Sequence, residues 1–191
     1  MSQELPVTSY ALLGLLTFGD ELTGYELKQR ADNTLRFYWV APAMSQIYSE
    51  LARLSASGFV AATTSAGAGR PTTTYRITEA GRTALHEWLA TTPIAFPVLK
   101  HTVLLRLLIG HATEPERITA MLEDYVAQLA VALDDLRTVR DSLRGGDAPG
   151  QAFYYPSLVA DWGLDYFAAE TCHTRTALER LSCPSDQAPG R

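Results

Sequence analysis

One helix of this sequence carries polar side chains that are suited to recognition by hydrogen bonds. The segment "AMSQIYSELARLSASG" has an apolar stripe at intervals of three, four and three residues, formed by Met44, Ile47, Leu51 and Leu54. Ser45, Gln46 and Ser49 fall on the opposite face, with Arg53 beside them. A helix that is braced on one side and polar on the other can enter a DNA major groove and bond base edges or phosphates. A merely solvated helix face, with Arg53 paired to Glu50, is the alternative.

A Gly-rich turn offers a second candidate contact. "FVAATTS" and "TTTYRI" are rich in β-branched and aromatic residues and predict two strands, and "AGAGRP" between them has the composition of a turn. The three segments together predict a β-hairpin. Arg70 stands in the turn between Gly69 and Pro71, where no apolar packing requires it. We predict that it reaches a neighbouring minor groove or the phosphate backbone.

The sequence gives little support for an enzyme. The four histidines, His86, His101, His111 and His173, are scattered, and neither HExxH nor GxSxG occurs. "SAGAGRP" lacks the third glycine and the following helix of a dinucleotide-binding loop. The adjacent carboxylates Glu123 and Asp124 point to different faces of a helix. We therefore predict no catalytic residues, no metal and no cofactor.

The elements that position the polar helix follow from local signals in the N-terminal half. "PVTSYALLGLLTFG" predicts a first helix, and in "DELTGYELKQRADN" Thr23 and Glu26 have capping-box spacing at the start of a second, with Tyr25 and Leu27 as its apolar anchors. Gly58 ends the third helix, and Thr78 opens a fourth that ends near Thr92. Three helices followed by a two-stranded hairpin form a winged helix-turn-helix, so the predicted fold class is mainly α with this unit at the N-terminus.

Two long helices dominate the C-terminal half. A heptad seam is formed by two apolar series four residues out of phase: Ile118, Tyr125, Ala132 and Val139, and Leu122, Leu129, Leu136 and Leu143. The seam fits an intramolecular helix pair or a dimer contact, and we favour the dimer because a small wing domain covers little of such long helices. Another long helix is predicted after Pro156. The predicted domains are 1–92 for the winged helix, 93–183 for helical dimerisation and 184–191 as a disordered tail.

Composition and charge constrain the partners. The net charge is -5, and residues 1–91 carry seven Lys/Arg against eight Asp/Glu. Neither half is basic overall, so a nucleic-acid role depends on where the cations lie. Cys172 and Cys183 form no regular framework, and the N-terminus has no basic stretch before a long apolar run. We expect a cytoplasmic protein with no membrane partner.

Three blocks of the sequence resemble a known family. "LLGLLTFGDELTGYELKQR", "YWVAPAMSQIYSELARLSASGFV" and "GRPTTTYRITEAGRTALHEWL" look like successive blocks of the PadR family of bacterial transcriptional regulators. GYEL, IYxxLxxLxxxGxV and RPxxxYxITxxGxxAL occur in the right order and at the right intervals. The helical second half resembles, with weaker motifs, the dimerisation region of the family's virulence-activator-like branch.

The resemblance implies a homodimeric regulator that binds a double-stranded DNA operator. It implies DNA-facing roles for Tyr25, Lys28, Ser45, Gln46, Tyr48, Ser49 and Arg70. Tyr25 and Tyr48 are equally compatible with half-buried packing. Ser49 stands where members often have Pro, and Thr73 and Thr74 stand where the wing is often basic. We include Thr73 among the DNA-facing positions and expect a shallow salt dependence.

The resemblance also implies that a small aromatic effector releases the DNA. Eight aromatic residues are candidates to line its pocket: Trp39, Trp88, Trp162, Phe96, Tyr154, Tyr155, Tyr166 and Phe167. From these we predict Trp88, Phe96, Trp162 and Tyr166 as effector-binding residues, with Trp88 and Trp162 as the best candidates. Packing at the domain junction and the dimer interface explains the same residues, and we favour it. We expect a repressor that binds an inverted repeat through residues 43–57 and the wing. A winged helix that binds only protein is the alternative, and the slightly acidic N-terminal half is the argument for it.

Overall fold

The protein folds as two compact units, Met1–Ala95 and Phe96–Arg191. The computed structural model describes residues 5–19, 21–65 and 71–182. The elements of the first unit are α1 (Val7–Leu15), β1 (Leu22–Thr23), α2 (Gly24–Thr34), a short 3₁₀ turn (Leu35–Phe37), α3 (Met44–Ala56), β2 (Val60–Ser65), β3 (Thr72–Ile77) and α4 (Glu79–Thr91). Those of the second are α5 (Thr102–Leu108), a 3₁₀ turn (Gly110–Ala112), α6 (Pro115–Ser142) and α7 (Tyr154–Ser182).

The core of the first unit is aliphatic and confirms the stripe predicted for α3. Ile47, Leu51 and Leu54 have no exposed surface, while Met44 at the start of the helix is only partly buried. They pack in one cluster with side chains of α1, α2 and the sheet, chiefly Leu12, Leu13, Leu16, Leu27, Val60 and Ile77. Burying several large aliphatic side chains contributes roughly 1.5 to 3 kcal/mol each, which is enough to fix one face of α3 and to determine which face remains outside.

The hairpin is present, and the sheet has one strand more than predicted. β2 pairs antiparallel with β3, with Thr63 opposite Thr74 and Val60 opposite Ile77. The two-residue β1 pairs with the other edge of β3, so that the strand order is β1-β3-β2. A strand of two residues has no periodicity, and only pairing with β3 makes it recognisable. The predicted turn residue Arg70 lies outside the described residues.

The helix ends predicted at Thr23, Gly58 and Thr78 are confirmed. The backbone N–H of Glu26 donates to Thr23 Oγ1 at 3.2 Å, and the N–H of Thr23 donates to Glu26 Oε2 at 2.8 Å, which completes the capping box of α2. The backbone and side-chain hydrogen bonds from Thr23 hold the pKa of the Glu26 carboxyl below its usual range. Gly58 has a φ of 75°, and Thr78 Oγ1 accepts the N–H of Gly81 at the start of α4.

Tyr25 is not the apolar anchor of α2 that we expected. Its side chain is 59% exposed, whereas Leu27 has no exposed surface. The side of α2 that packs into the core is instead set by Leu27 and Ala31, one turn apart. Tyr25 is therefore available at the surface.

The second unit consists mainly of the pair α6 and α7, which run antiparallel. Ile118, Leu122, Leu129 and Leu136 of the heptad seam are buried, as are Ser157, Ala160 and Thr174 of α7. Contacts between Tyr125 and Glu170 and between Arg140 and Asp161 fix the antiparallel register. The seam therefore packs within one chain, and our preference for it as the dimer contact is wrong. The side of α7 that carries Ser157, Ala160 and Thr174 covers the seam within the same chain.

The turn between the long helices is held by one guanidinium. Arg140 Nε donates to Asp161 at 2.7 Å and its NH1 donates to Asp147 at 2.8 Å. The Arg140 hydrogen bond also lowers the pKa of the Asp147 carboxyl. α7 begins at Tyr154, before Pro156 rather than after it, because Pro156 in the first helical turn sacrifices no intrahelical hydrogen bond. Among the described helices, none is long and apolar enough to cross a membrane.

Candidate nucleic-acid interface

The outward face of α3 is short, neutral and polar. Ser45, Gln46 and Ser49 are exposed, on the side of the helix away from its buried stripe. Ser49 Oγ donates to the carbonyl of Ser45 at 2.9 Å, so its hydroxyl oxygen keeps its acceptor capacity. The small side chain of Ala52, also exposed, continues this face toward the C-terminus of the helix. The face can approach another surface closely and offer both donors and acceptors.

Gln46 has a second task at the start of α3. Its Oε1 accepts the backbone N–H of Ala43 at 3.2 Å, at an N-cap position where the alanine has no polar side chain of its own. Ser, Thr, Asn and Asp usually supply the cap at this position. The amide oxygen is thus engaged by the helix start, and the amide NH₂ is the part of Gln46 suited to donating to a ligand. Reading an adenine with both amide atoms requires Gln46 to release Ala43.

Tyr48 packs where α2 approaches α3. Its side chain is 48% exposed, and the rest of the ring lies against Gly24, the first residue of α2. A Cβ added to Gly24 lies 2.5 Å from Tyr48 Cε1, which is too close for two carbon atoms. A side chain at position 24 would therefore displace the Tyr48 ring from its place between the two helices, a role that we did not assign to the GYEL motif. Tyr48 is thus compatible with both interpretations, half-buried packing and contact with DNA, since one side of its ring packs against Gly24 and about half of its surface is exposed.

The exposed face of α2 carries Tyr25 and Gln29 in adjacent turns. Gln29 Nε2 donates to the Tyr25 hydroxyl at 3.3 Å. Lys28, a second predicted contact on this helix, forms an ion pair with Asp32 and is only 22% exposed. Tyr25 is thus presented to solvent, whereas Lys28 is engaged by a carboxylate of its own helix.

Arg53 belongs to a polar cluster at the edge of the α3 face. Its guanidinium pairs with Glu50 one turn earlier and also bonds the hydroxyl of Ser9 on α1. The pairing with Glu50, which we considered as the alternative for Arg53, is confirmed. Ser9 has no exposed surface, and sequence reasoning missed it because forty-four residues separate it from Arg53.

The strands of the wing are lined with hydroxyls. Thr73 Oγ1 lies 3.0 Å from Thr64 Oγ1 on the paired strand. On the opposite face of β3, Thr74 Oγ1 donates to Glu21 at 2.7 Å, and Arg76 Nε lies 3.7 Å from the same carboxylate. Arg76 and Glu21 were not among the predicted site residues. Strand alternation places Arg76 on the Thr74 face, but its carboxylate neighbour comes from the distant segment before β1.

The four predicted effector residues are divided between the two units, with Trp88 in the first and Phe96, Trp162 and Tyr166 in the second. Trp88 stacks on Tyr10 in the first unit, with ring centroids 4.7 Å apart and an interplanar angle of 9°. Phe96 and Trp162 in the second unit are 93% and 78% exposed. Burial and the nearby Glu170 charge raise the pKa of the Tyr166 hydroxyl. Trp88 thus has a packing role, whereas Phe96 and Trp162 present large apolar surfaces.

A partly buried polar cluster joins the three helices of the second unit. His101 Nε2 lies 3.0 Å from Glu170 Oε2 and 3.1 Å from the Tyr125 hydroxyl, which also donates to Glu170. His101 Nδ1 accepts the N–H of Leu104 and so caps α5, which fixes the proton of a neutral ring on Nε2. The described residues contain no group of His, Cys, Asp and Glu side chains arranged to hold a metal. The cluster has a structural task at the start of α5.

Comparison with known proteins places this architecture among characterised regulators. Residues 12–87 match the transcriptional regulator PadR-like family. A Bacillus subtilis (strain 168) protein described as "Negative transcriptional regulator PadR" is 29% identical over 144 residues, which cover 75% of this chain and 78% of the relative.

Solved structures match nearly the whole fold. Bacillus subtilis PadR in complex with operator DNA has a TM-score of 0.81 at 24% identity, over 92% of this chain and 99% of that chain. The same protein in complex with p-coumaric acid has a TM-score of 0.75 at 24% identity, over 93% and 99% of the two chains. The Vibrio cholerae virulence activator AphA has a TM-score of 0.68 at 20% identity, over 91% and 96%. The predicted fold class, a mainly α chain with an N-terminal winged helix-turn-helix, is confirmed.

Proposed function

We propose that this chain is a transcriptional regulator of the PadR-like family, whose model matches residues 12–87, and that it represses transcription by binding an inverted-repeat operator as a homodimer. The first unit is its DNA-binding domain and the second its dimerisation domain. The observation that carries the proposal is the exposed polar face of α3, opposite the fully buried Ile47, Leu51 and Leu54. A helix held in this way has the width and the hydrogen-bonding groups that a major groove accepts.

Base recognition falls to the neutral side chains of α3. Ser45 and Ser49 offer hydroxyls, and Gln46 offers an amide whose oxygen leaves the Ala43 N–H when it pairs with adenine. Tyr25 and Tyr48 stand beside them with hydroxyls suited to phosphate oxygens. Thr73 and Arg70 extend the contact along the wing toward the adjacent groove. In this arrangement α3 supplies specificity, while α2 and the wing fix its register on the duplex.

Dimerisation uses apolar surface that the α6 and α7 pair leaves outside. Tyr155, Leu158, Trp162 and Tyr166 form one stripe of α7 at intervals of three, four and four residues, and all four are substantially exposed. This stripe differs from the side of α7 that carries the buried Ser157 and Ala160. Pairing two such surfaces about a two-fold axis removes them from water and presents two copies of α3 to an inverted repeat.

Release by a small aromatic effector completes the proposed cycle. Bacillus subtilis PadR, a relative of the same fold, has been crystallised with p-coumaric acid, which supports an effector of this class. Exposed Phe96 and Trp162, together with Tyr166, provide ring surfaces for a planar ligand. A ligand that binds better to a dimer with the wrong spacing between its recognition helices lowers operator affinity by population shift.

A gel-shift titration with DNA from upstream of its own gene, repeated at several salt concentrations, tests the function. The wild type should prefer one sequence over random DNA. The triple variant Ser45→Ala, Gln46→Ala, Ser49→Ala should lose about tenfold or more of that preference, because each base contact contributes roughly 1 to 3 kcal/mol of discrimination. A triple variant on α4, Thr83→Ala, His86→Ala, Thr91→Ala, alters three exposed polar side chains away from α3 and should discriminate like the wild type.

Two results contradict the proposal. If the α3 variant keeps a wild-type circular dichroism spectrum and discriminates as well as the parent, α3 is not the recognition helix. If no duplex binds at any salt concentration while a protein partner binds without salt dependence, the winged helix is a protein-interaction module instead.

A further inference from the structure

α2, α3 and β3 each carry a cation that is paired with a carboxylate of the same chain. Lys28 on α2 pairs with Asp32, Arg53 on α3 pairs with Glu50, and Arg76 on β3 lies 3.7 Å from Glu21. The electrostatic attraction of cations to phosphates supplies essentially all of the non-specific affinity of a protein for DNA. A cation that already has a carboxylate neighbour brings little net charge to a phosphate. Pairing these cations with carboxylates therefore lowers the non-specific affinity for DNA.

Glu21 is fixed on the wing independently of Arg76. Thr74 Oγ1 donates to Glu21 Oε2 at 2.7 Å, while Arg76 approaches the other oxygen, Oε1. Thr74 and Arg76 are two residues apart and therefore lie on the same face of β3. The Glu21 carboxylate, which contacts both, lies over this outward face. Its negative charge stays there when Arg76 turns toward a phosphate. A duplex that approaches this face therefore meets a carboxylate as well as a guanidinium.

Asp32 occupies the corresponding place on α2. It follows Lys28 by one helical turn and is 44% exposed, so its charge lies at the surface beside the ammonium. Exposed ion pairs contribute about 0 to 1 kcal/mol, and the order cation before anion along a helix is the weaker one. The pair stabilises α2 very little. Its main electrostatic effect is to cancel the charge of Lys28.

We propose that Glu21 and Asp32 suppress non-specific DNA binding by neutralising Arg76 and Lys28, so that affinity depends on the base contacts of α3. This inference rests on the proposed function and goes beyond it by assigning a specificity role to two acidic residues. Non-specific sites outnumber an operator by many orders of magnitude in a genome, so reducing their affinity improves selection of the operator. Glu50 is not used in the test because it also contacts the buried Ser9 hydroxyl, and its loss perturbs the fold.

The test measures binding of a fluorescently labelled random-sequence duplex of about 24 base pairs to Glu21→Gln, Asp32→Asn and the double variant. Each single variant should bind about two- to fivefold more tightly than the wild type at low salt. Each should also increase the slope of log affinity against log salt by about 0.9, because one more cation contacts a phosphate. Gln at position 21 still accepts the Thr74 hydroxyl, and Asn at position 32 removes a negative charge from the C-terminal part of α2, where it opposes the helix dipole.

Glu87→Gln is the matched control, because it makes the same change in net charge at an exposed position of α4. The proposal is overturned if Glu21→Gln and Asp32→Asn gain no more affinity or salt slope than Glu87→Gln. It is also overturned for the wing if the gain of Glu21→Gln persists in an Arg76→Gln background. Failure of the wild type to enrich any sequence from a randomised duplex pool counts against the proposed function. An enriched operator with unchanged random-duplex binding in the variants counts against this inference alone.

Discussion

At the scale of single residues, two glycines show how the family motifs act through contacts rather than through chain flexibility. Gly24 of GYEL leaves space that the ring of Tyr48 occupies. Gly81, in the segment after the wing, lies against the backbone of Phe59. A Cβ on Gly81 lies 2.2 Å from the Phe59 carbonyl oxygen, which itself accepts the N–H of Thr78. A side chain can rotate away from such a clash, whereas a hydrogen-bonded carbonyl cannot. Gly81 is therefore the more stringent of the two positions.

We predict that Gly81→Ala lowers the free energy of unfolding of the first unit by about 2 to 3 kcal/mol, the range expected for overpacking. Gly14→Ala is the matched control, because a Cβ at Gly14 of α1 has no atom within 4 Å. It should raise stability by roughly 0.5 to 1 kcal/mol through helix propensity. Urea denaturation followed by circular dichroism measures both. Equal effects of the two substitutions would contradict the close approach at Phe59.

At the scale of elements, the start of α5 is tied to α6 and α7 through His101, Tyr125 and Glu170. The ring of His101 caps α5 with Nδ1 and meets both other side chains with Nε2. Burial, and then the negative charge of Glu170, raise the pKa of the Tyr125 hydroxyl above its usual range. A proton is therefore held more tightly by Tyr125 in the folded protein than in the unfolded chain.

The shift of Tyr125 predicts a loss of stability at alkaline pH. A pKa that is higher in the folded state than in the unfolded chain contributes stability fully below the unfolded value, near 10 for tyrosine, and loses it as the pH rises toward the folded value. Wild-type stability should therefore fall more steeply than that of Tyr125→Phe between about pH 9 and 11. Guanidinium denaturation at each pH measures the difference. An equally steep fall for the wild type and for Tyr125→Phe would contradict the prediction.

At the scale of the whole molecule, the second unit exposes large apolar side chains on α5 and on the side of α7 that does not face α6. Leu104, Leu105 and Leu108 of α5 are 47%, 58% and 77% exposed, and Trp162 of α7 is 78% exposed. Large exposed apolar side chains of this kind are a feature of association sites. The proposed homodimer covers this surface and at the same time doubles the number of proposed recognition helices.

We predict that Trp162→Glu converts the dimer to a monomer and weakens operator binding at least tenfold, because a two-fold interface receives the buried charge twice. Val131→Glu is the control, since it also adds a charge at an exposed apolar position, on the side of α6 away from the seam. It should remain dimeric. Sedimentation velocity measures the mass, and fluorescence anisotropy with labelled operator measures the affinity. A monomeric wild type, or a dimeric Trp162→Glu variant, would exclude this surface as the interface.

The sequence alone determined those features whose cause lies within one turn or one strand. The spacing of Ile47, Leu51 and Leu54 decided which face of α3 is buried, and Thr23 with Glu26 fixed the start of α2. β-Branched runs on either side of a Gly-rich turn predicted β2 and β3. Each of these features depends on residues that are close together in the sequence, so periodicity and capping chemistry suffice to predict it.

Only the tertiary structure decided which distant groups meet. The heptad seam gave the right residues of α6 but the wrong partner, because a periodic stripe does not specify whether α7 or a second chain covers it. Tyr25 has a large aromatic side chain and was predicted as an apolar anchor of α2, yet Leu27 and Ala31 are the α2 residues that pack in the core. Ser9 beside Arg53 and Glu21 beside Arg76 are contacts between segments more than forty residues apart in the chain. Such pairs depend on how the elements dock, and no local preference encodes that geometry.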